Sequence, residues 1–137
     1  MGYFLDACAL IAFANEEEGA DRVEAVLASE ECAVHPVNVY ELYKDAKKRT
    51  GSFDAADELL SGLMASGLTV ADGDTLDALR GAADYKLRFG RIAIPDVIGL
   101  AACKARGHTF LTSDHAEFDA LQRAGEPIEF FRGPLGS

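Results

Sequence analysis

The chain has no tryptophan, three cysteines, four prolines and only 13 basic residues against 23 acidic ones. Each shortage excludes something. Cys8, Cys32 and Cys103 are odd in number, widely spaced and form no C-x-x-C pair. A disulfide framework and a cysteine-based zinc site are therefore not expected. The three thiols read as small buried hydrophobes in a reducing, cytoplasmic setting. No apolar run approaches the ~20 residues of a membrane span. No basic segment followed by an apolar stretch marks a secretory leader. The shortage of bases leaves a net charge of -10, which argues against a broadly basic nucleic-acid-binding surface. An enzyme that gathers its acids at a metal site and its bases in one patch stays open. Repeats, low-complexity segments and interdomain linkers are also missing. A length of 137 residues suggests one domain, large enough to bury a core without staples. The final GPLGS has the look of a cloning remnant. The expected division is a domain over residues 1–132 and a tail over 133–137.

Apolar periodicity sorts the rest into elements. Tyr3 to Leu5 begins a strand, and Ala9 to Phe13 starts a helix. Glu16 to Ser29 is helical, Cys32 to His35 is a strand, and Asn38 to Arg49 is helical with Gly51 closing it. Phe53 to Ala65 is a helix with Phe53, Ala56, Leu60, Leu63 and Met64 on one side. Leu68 to Ala71 is a short strand. Asp74 to Phe89 is a helix capped by Asp74, with Leu76, Leu79, Ala83 and Leu87 as its core stripe. Pro95 to Arg106 is an alanine-rich helix, His108 to Thr112 a strand, Asp114 to Arg123 a helix and Ile128 to Phe131 a last strand. Strands alternating with helices predict an α/β fold with a mostly parallel sheet covered on both faces.

One carboxylate interrupts the apolar stretch YFLDACALIAFA: Asp6. A buried carboxylate is costly unless something satisfies it. Asp6 ends the first strand, Glu41 begins the helix after the second, Asp96 begins the alanine-rich helix and Asp114 follows the strand HTFLT. In a parallel α/β sheet such junctions share the carboxyl edge, where ligands bind at the switch point. Four converging carboxylates repel one another, by about 1 kcal/mol per pair in water and about 4 at an effective dielectric of 20. A divalent cation reverses that balance, and oxygen ligands suit Mg²⁺ or Mn²⁺. Such a cation can serve phosphodiester hydrolysis. Each acid also has a plainer reading. Asn38-x-x-Glu41 and Asp114-x-x-Glu117 have the form of capping boxes. Asp96 suits a helix dipole, and Asp54 and Asp74 read as caps. Taken singly, capping is the better account; taken together, the metal reading overtakes it.

These stretches resemble the PIN-domain family, in particular the VapC-type toxin ribonucleases of toxin–antitoxin pairs. The resemblance rests on YFLDACALIAF around Asp6, VNVYELYKDA around Glu41, IPDVIGLAACKARG around Asp96 and TFLTSDHAEFDAL around Asp114. It covers nearly all of residues 3–131. It implies a three-layer fold with a five-stranded parallel sheet and a Mg²⁺- or Mn²⁺-dependent endoribonuclease. Asp6, Glu41, Asp96 and Asp114 would be the acidic quartet. Thr112 would orient the last carboxylate or a metal-bound water, and Asp119 would stand further out. An RNA substrate, a VapB-like antitoxin docked on the helices from Asn38 to Ala65 and a homodimer are implied as well. Ala7 and Cys8 depart from the family's usual polar residues after the first Asp. A haloacid-dehalogenase-like site would need an Asp at the place of Cys8, and a receiver domain would need an acidic pair that this chain lacks. A PIN-like module that binds RNA or protein without cleaving is the alternative.

Lys44 and Lys48 share the face of Glu41, with Lys47 and Arg49 beside them. Lys86, Arg88 and Arg91 form a second cluster. Both clusters read either as phosphate contacts or as solvated helix faces. His35 and His108 are placed in strands as core or edge residues. His115, beside Asp114, reads either as a residue lining the site or, the better account, as a plain loop residue. Tyr40, Tyr43 and Phe118 read as packing residues.

Overall fold

The computed structural model describes residues 2–134. The last three residues of the expected tail lie outside them. In chain order the elements are β1 (Gly2–Leu5), α1 (Ala7–Ala14), α2 (Ala20–Ser29), β2 (Glu31–Val34), α3 (Pro36–Thr50) and α4 (Asp54–Ala65). They continue with β3 (Thr69–Val70), α5 (Leu76–Phe89), α6 (Ile94–Ala105), β4 (Thr109–Thr112), α7 (His115–Arg123) and β5 (Ile128–Phe130). The five strands form one sheet in the order β3-β2-β1-β4-β5. Every pairing is parallel, with Leu5 in register with Leu111.

The strands alternate in a way that feeds two cores. Leu5, Cys32, Val34 and Leu111 face one side, packing with Leu10, Val26, Leu42 and Leu60 of α1 to α4. Phe4, Ala33, Phe110 and Ile128 face the other, packing with Tyr85, Leu100, Cys103, Phe118 and Leu121 of α5 to α7. The result is three layers, helices–sheet–helices, as apolar strands demand. From β1 the chain moves outward through β2 to β3, then returns to the far side of β1 through β4 and β5. The strand order therefore reverses between β1 and β4, which makes the carboxyl ends of those two strands the switch point.

Several local expectations give way. α3 begins at Pro36, capped by His35, whose Nδ1 accepts from the Val37 amide at 2.9 Å. Proline at N1 needs no amide donor, so the helix starts two residues before Asn38. Asn38-x-x-Glu41 is thus no capping box: Asn38 lies inside the first turn and is wholly buried. α5 is capped by Thr75, whose Oγ1 accepts from the Ala78 amide at 3.1 Å. Asp74 instead meets the His35 Nε2 at 3.0 Å. Asp54 is the first residue of α4 rather than its cap. Phe53 and Met64 of the expected α4 face are about half exposed, at 47% and 49%. The apolar stripe of α5 is also reversed. Ala78, Ala82 and Tyr85 are its buried face, whereas Leu76, Leu79 and Leu87 point outward. Gly81 lies towards α6, where a Cβ added to it would make ordinary contact with the Ala101 methyl at 3.9 Å.

Candidate metal centre

Asp6 follows the last residue of β1 and caps α1 in extended conformation. Its carboxylate is 4% exposed and is answered on both oxygens. Oδ1 accepts from the Ala9 amide at 3.0 Å and the Cys8 thiol at 2.8 Å. Oδ2 accepts from the Thr112 hydroxyl at 2.5 Å. The position of α1 directly after the strand supplies an amide and a positive dipole end at the switch point.

Asp114 caps α7, accepting from the Glu117 amide at 3.1 Å through Oδ1. Its own amide donates to Thr112 Oγ1 at 3.1 Å. Thr112 therefore links the two acids that follow adjacent strands, orienting the first carboxylate and the backbone of the last. Asp96 occupies the first turn of α6, just after Pro95. Glu41 lies in the second turn of α3. The four acids line one cleft of about 250 Å³ together with Cys8 and Lys44, which stands one turn after Glu41.

The electrostatics of this cleft are unfavourable without a counterion. Burial, then the charges of Asp6, Glu41, Glu117 and Asp114, push the Asp96 carboxyl up to about 8. Asp6 is pushed up to about 6, chiefly by burial, although hydrogen bonds from Cys8, Thr112 and Ala9 oppose the rise. Lys44 is the one basic residue lining the cleft among the described residues. Oxygen donors surrounded by their own repulsion are the setting a divalent cation stabilises. Asp96, Asp114 and Glu117 each present an oxygen within 4.8 Å of the others. The donor set fits Mg²⁺ or Mn²⁺ by its chemistry. The Cys8 thiol is held protonated by burial and by Asp6, and so is occupied as a hydrogen-bond donor.

In the sequence, Glu117 is marked only by its capping-box spacing from Asp114. In the structure its Oε2 reaches across to the Ala93 amide at the start of α6, at 2.8 Å. It thereby ties the first turn of α7 to the helix that carries Asp96. The Asp114-x-x-Glu117 spacing was the available signal, since it puts both acids on one helical turn. Cys8 also departs from its reading as a buried hydrophobe. Besides donating to Asp6, its sulfur accepts from the Ser113 amide and hydroxyl at 3.4 and 3.3 Å. The expectation for Cys32 and Cys103 holds, since both are buried.

The remaining candidates sort by position. Lys47 and Lys48 lie with Tyr40, Tyr43 and Phe53 on a separate groove of about 800 Å³ that Lys44 also borders. Lys86 is spent on the Gly90 and Ile92 carbonyls at the end of α5, and Arg88 pairs with Asp84. His115 is the first residue of α7, not a loop residue. It stacks on Phe130 and meets Asp119 at 3.0 Å, so the outer acid Asp119 is held by it. Phe118 is fully buried, whereas Tyr40 is 57% exposed.

The fold and the cleft define an all-parallel α/β protein with an acidic centre at its switch point. The chain belongs to the PIN domain family, whose model matches residues 3–124. Among curated proteins, none matches this chain. Solved structures of similar fold include VapBC2 from Rickettsia felis bound to a DNA fragment from its promoter. That match has a TM-score of 0.72 at 15% identity, covering 95% of this chain and 98% of that one. DNA-bound VapBC from Salmonella typhimurium matches with a TM-score of 0.73 at 19% identity, covering 96% of this chain and 99% of that one. VapC20 from Mycobacterium tuberculosis, a toxin that cleaves the sarcin–ricin loop, matches with a TM-score of 0.62 at 17% identity over 78% of this chain and 85% of that one.

Proposed function

We propose that this PIN domain is a divalent-metal-dependent endoribonuclease, the toxin of a toxin–antitoxin pair. One observation carries the reading: Asp6, Glu41, Asp96 and Asp114 share a cleft in which burial, and after it their mutual repulsion, push Asp96 up to about 8. Structural caps need no such convergence, and nothing in a fold gains from it without a cation. When bound, Mg²⁺ or Mn²⁺ supplies a Lewis acid and a lowered pKa for water.

The chain's own residues do the rest. Asp6, Glu41, Asp96 and Asp114 hold the cation, with Glu117 as a further oxygen donor beside Asp96 and Asp114. Thr112 and Cys8 fix the Asp6 carboxylate by donating one hydrogen bond to each oxygen. Lys44 offsets charge on a phosphate entering the cleft. The reading includes an RNA substrate, a VapB-like antitoxin, association of two copies and a cytoplasmic location. The similarity in fold to VapBC complexes supports the antitoxin. No helix of the described residues is long and apolar enough to cross a membrane.

The test is cleavage of a mixed cellular RNA pool with Mn²⁺, with EDTA, and with Asp6→Asn as the paired control. Discrete fragments that need both the metal and Asp6 are expected. Intact RNA in every lane, from folded protein free of any partner, would sink the nuclease and leave a binding module. Fragments that survive Asp6→Asn would overturn the site.

A further inference from the structure

The groove beside the acidic cleft carries a pattern that the cleft does not use. Tyr40, Tyr43, Lys44, Lys47 and Lys48 share one face of α3, at spacings of three and four residues. Phe53, the residue that begins α4, lines the groove with them. Tyr40 is more than half exposed and Phe53 nearly so. Tyr43 is held between them and the helix: its ring meets Phe53 edge-on at 5.6 Å, and its hydroxyl donates to Asp57 at 2.6 Å. Asp57 is the one acid lining the groove among the described residues, and that bond engages it. The three lysines form no ion pair among the described residues. Lys47 spends one of its three donors on the Gly51 carbonyl. In a chain of net charge -10, three adjacent unpaired bases make a local positive field.

Rings and charges come in pairs. The Lys44 ammonium stands 5.6 Å from the centre of the Tyr40 ring, and that of Lys47 stands 5.3 Å from the centre of Phe53. A single nucleic-acid strand has the matching repeat, one flat base and one phosphate per unit. Its bases stack on aromatic faces and its phosphates meet lysines. An apolar protein helix would cover the rings but bury three ammonium groups with no acid to meet them. A duplex would offer phosphates but keeps its bases stacked inside. Lys44 also lines the acidic cleft, so groove and cleft are continuous.

We propose that this groove is the single-strand subsite of the nuclease. Unpaired nucleotides beside the scissile phosphate lie along α3, with bases stacked on Tyr40 and Phe53 and phosphates met by Lys44, Lys47 and Lys48. This rests on the ribonuclease reading for its substrate and narrows the substrate class to RNA that is unpaired on one side of the cleavage site. Holding a strand needs no hydrolysis, so the two readings fail separately.

Photocrosslinking of the full chain to a single-stranded oligouridylate carrying 5-iodouridine tests it, read without added metal so that cleavage plays no part. The crosslinked peptides should contain Tyr40 or Phe53. By fluorescence anisotropy, Tyr40→Ala and Phe53→Ala should each weaken single-strand binding roughly tenfold. Tyr40→Phe should bind as the parent does, since stacking uses the ring and not the hydroxyl. Lys48→Gln should flatten the slope of log affinity against log salt by about 0.7. A hairpin stem of the same length should bind more weakly than the single strand. With Mn²⁺, Tyr40→Ala should raise KM and leave kcat near the parent's. Crosslinks in the groove without any cleavage would uphold the subsite and sink the nuclease. Crosslinks elsewhere, with alanine variants that bind as the parent does, would overturn the subsite, leave cleavage untouched and assign the groove to a protein partner. Equal affinity for stem and single strand would overturn the stacking.

Discussion

The Thr112 hydroxyl donates to Asp6 across the β1–β4 seam and accepts from the Asp114 amide. One buried oxygen thus sets the relative placement of two acids 108 positions apart in a chain of 137. Thr112→Val keeps the shape and removes the hydroxyl, leaving an oxygen of Asp6 and the Asp114 amide without this partner. Loss of an outer hydrogen bond to a metal-holding carboxylate typically costs ~10–100-fold in affinity or activity. We expect that drop in Mn²⁺ affinity, measured by calorimetry, with a stability cost of about 1–3 kcal/mol. Thr112→Ser should recover most of both. A valine variant that binds Mn²⁺ as tightly as the parent would remove Thr112 from the site.

The raised Asp96 carboxyl makes the metal-free protein sensitive to pH. Its ordinary value is 3.8, and the fold holds it up to about 8. Between those values the folded chain keeps a proton that the unfolded chain releases. The proton-linked contribution is complete below about 4 and is lost as pH rises to about 8. Asp6 adds to the same trend between its ordinary 3.8 and about 6. Without metal, the melting temperature should therefore fall from pH 6 to pH 8.5. The group is part-exposed, so solvent screening leaves on the order of 2 kcal/mol, or ~5–8 °C. Asp96→Asn should flatten that slope and raise the metal-free melting temperature at pH 8.5. Saturating Mn²⁺ should stabilise the parent there but not the variant. A parent protein equally stable at both pH values without metal would contradict the electrostatic account of the cleft.

Glu41 and Asp96 come from different helices, and their approach depends on how closely α3 and α6 pack. Asn38 lies one turn before Glu41, and Gly99 one turn after Asp96. A Cβ on Gly99 would sit 2.8 Å from Asn38 Oδ1 and 3.3 Å from the Phe110 ring. Gly99→Ala therefore forces the two helices apart at a wholly buried point. Overpacking of this kind costs about 1–3 kcal/mol, and it should weaken Mn²⁺ binding although no ligand is changed. Gly62→Ala is the control, since its Cβ would meet nothing within 4 Å. Equal metal affinity in Gly99→Ala and the control would break the link between helix packing and the site.

The element order, the parallel sheet and the four acids were legible because each leaves a local mark. Apolar strand runs, Gly51 after α3 and Asp6 inside an apolar stretch are readable one residue at a time. What stayed hidden depends on which face of a helix meets its neighbour. The leucines of α5 form the better apolar stripe, yet Ala78, Ala82 and Tyr85 are the face it buries. The further roles of Glu117 and Cys8 stayed hidden for a related reason. Their roles arise from contacts with Ala93, Asp6 and Ser113, and two of those three contacts cross from one element to another.

Cys8 occupies the position where the family resemblance expects a harder polar group, and its thiol takes over the donor's task. It gives Asp6 Oδ1 a hydrogen bond at 2.8 Å and receives two from Ser113. Burial first, and the Asp6 charge second, push the thiol well above its ordinary range. A thiol is reactive as the thiolate. In the folded protein at pH 8, iodoacetamide should therefore label Cys8 slowly, roughly 100-fold or more below a free cysteine, as peptide mass spectrometry can follow. Denaturant should abolish that protection. Cys8→Ser keeps a donor of similar size and should hold Mn²⁺ with near-parental affinity. Cys8→Ala leaves Asp6 one hydrogen bond short and should lose about tenfold in affinity. Rapid labelling of the folded protein would mean an exposed, ionised sulfur, and an alanine variant equal to the serine one would mean that the thiol does not position Asp6.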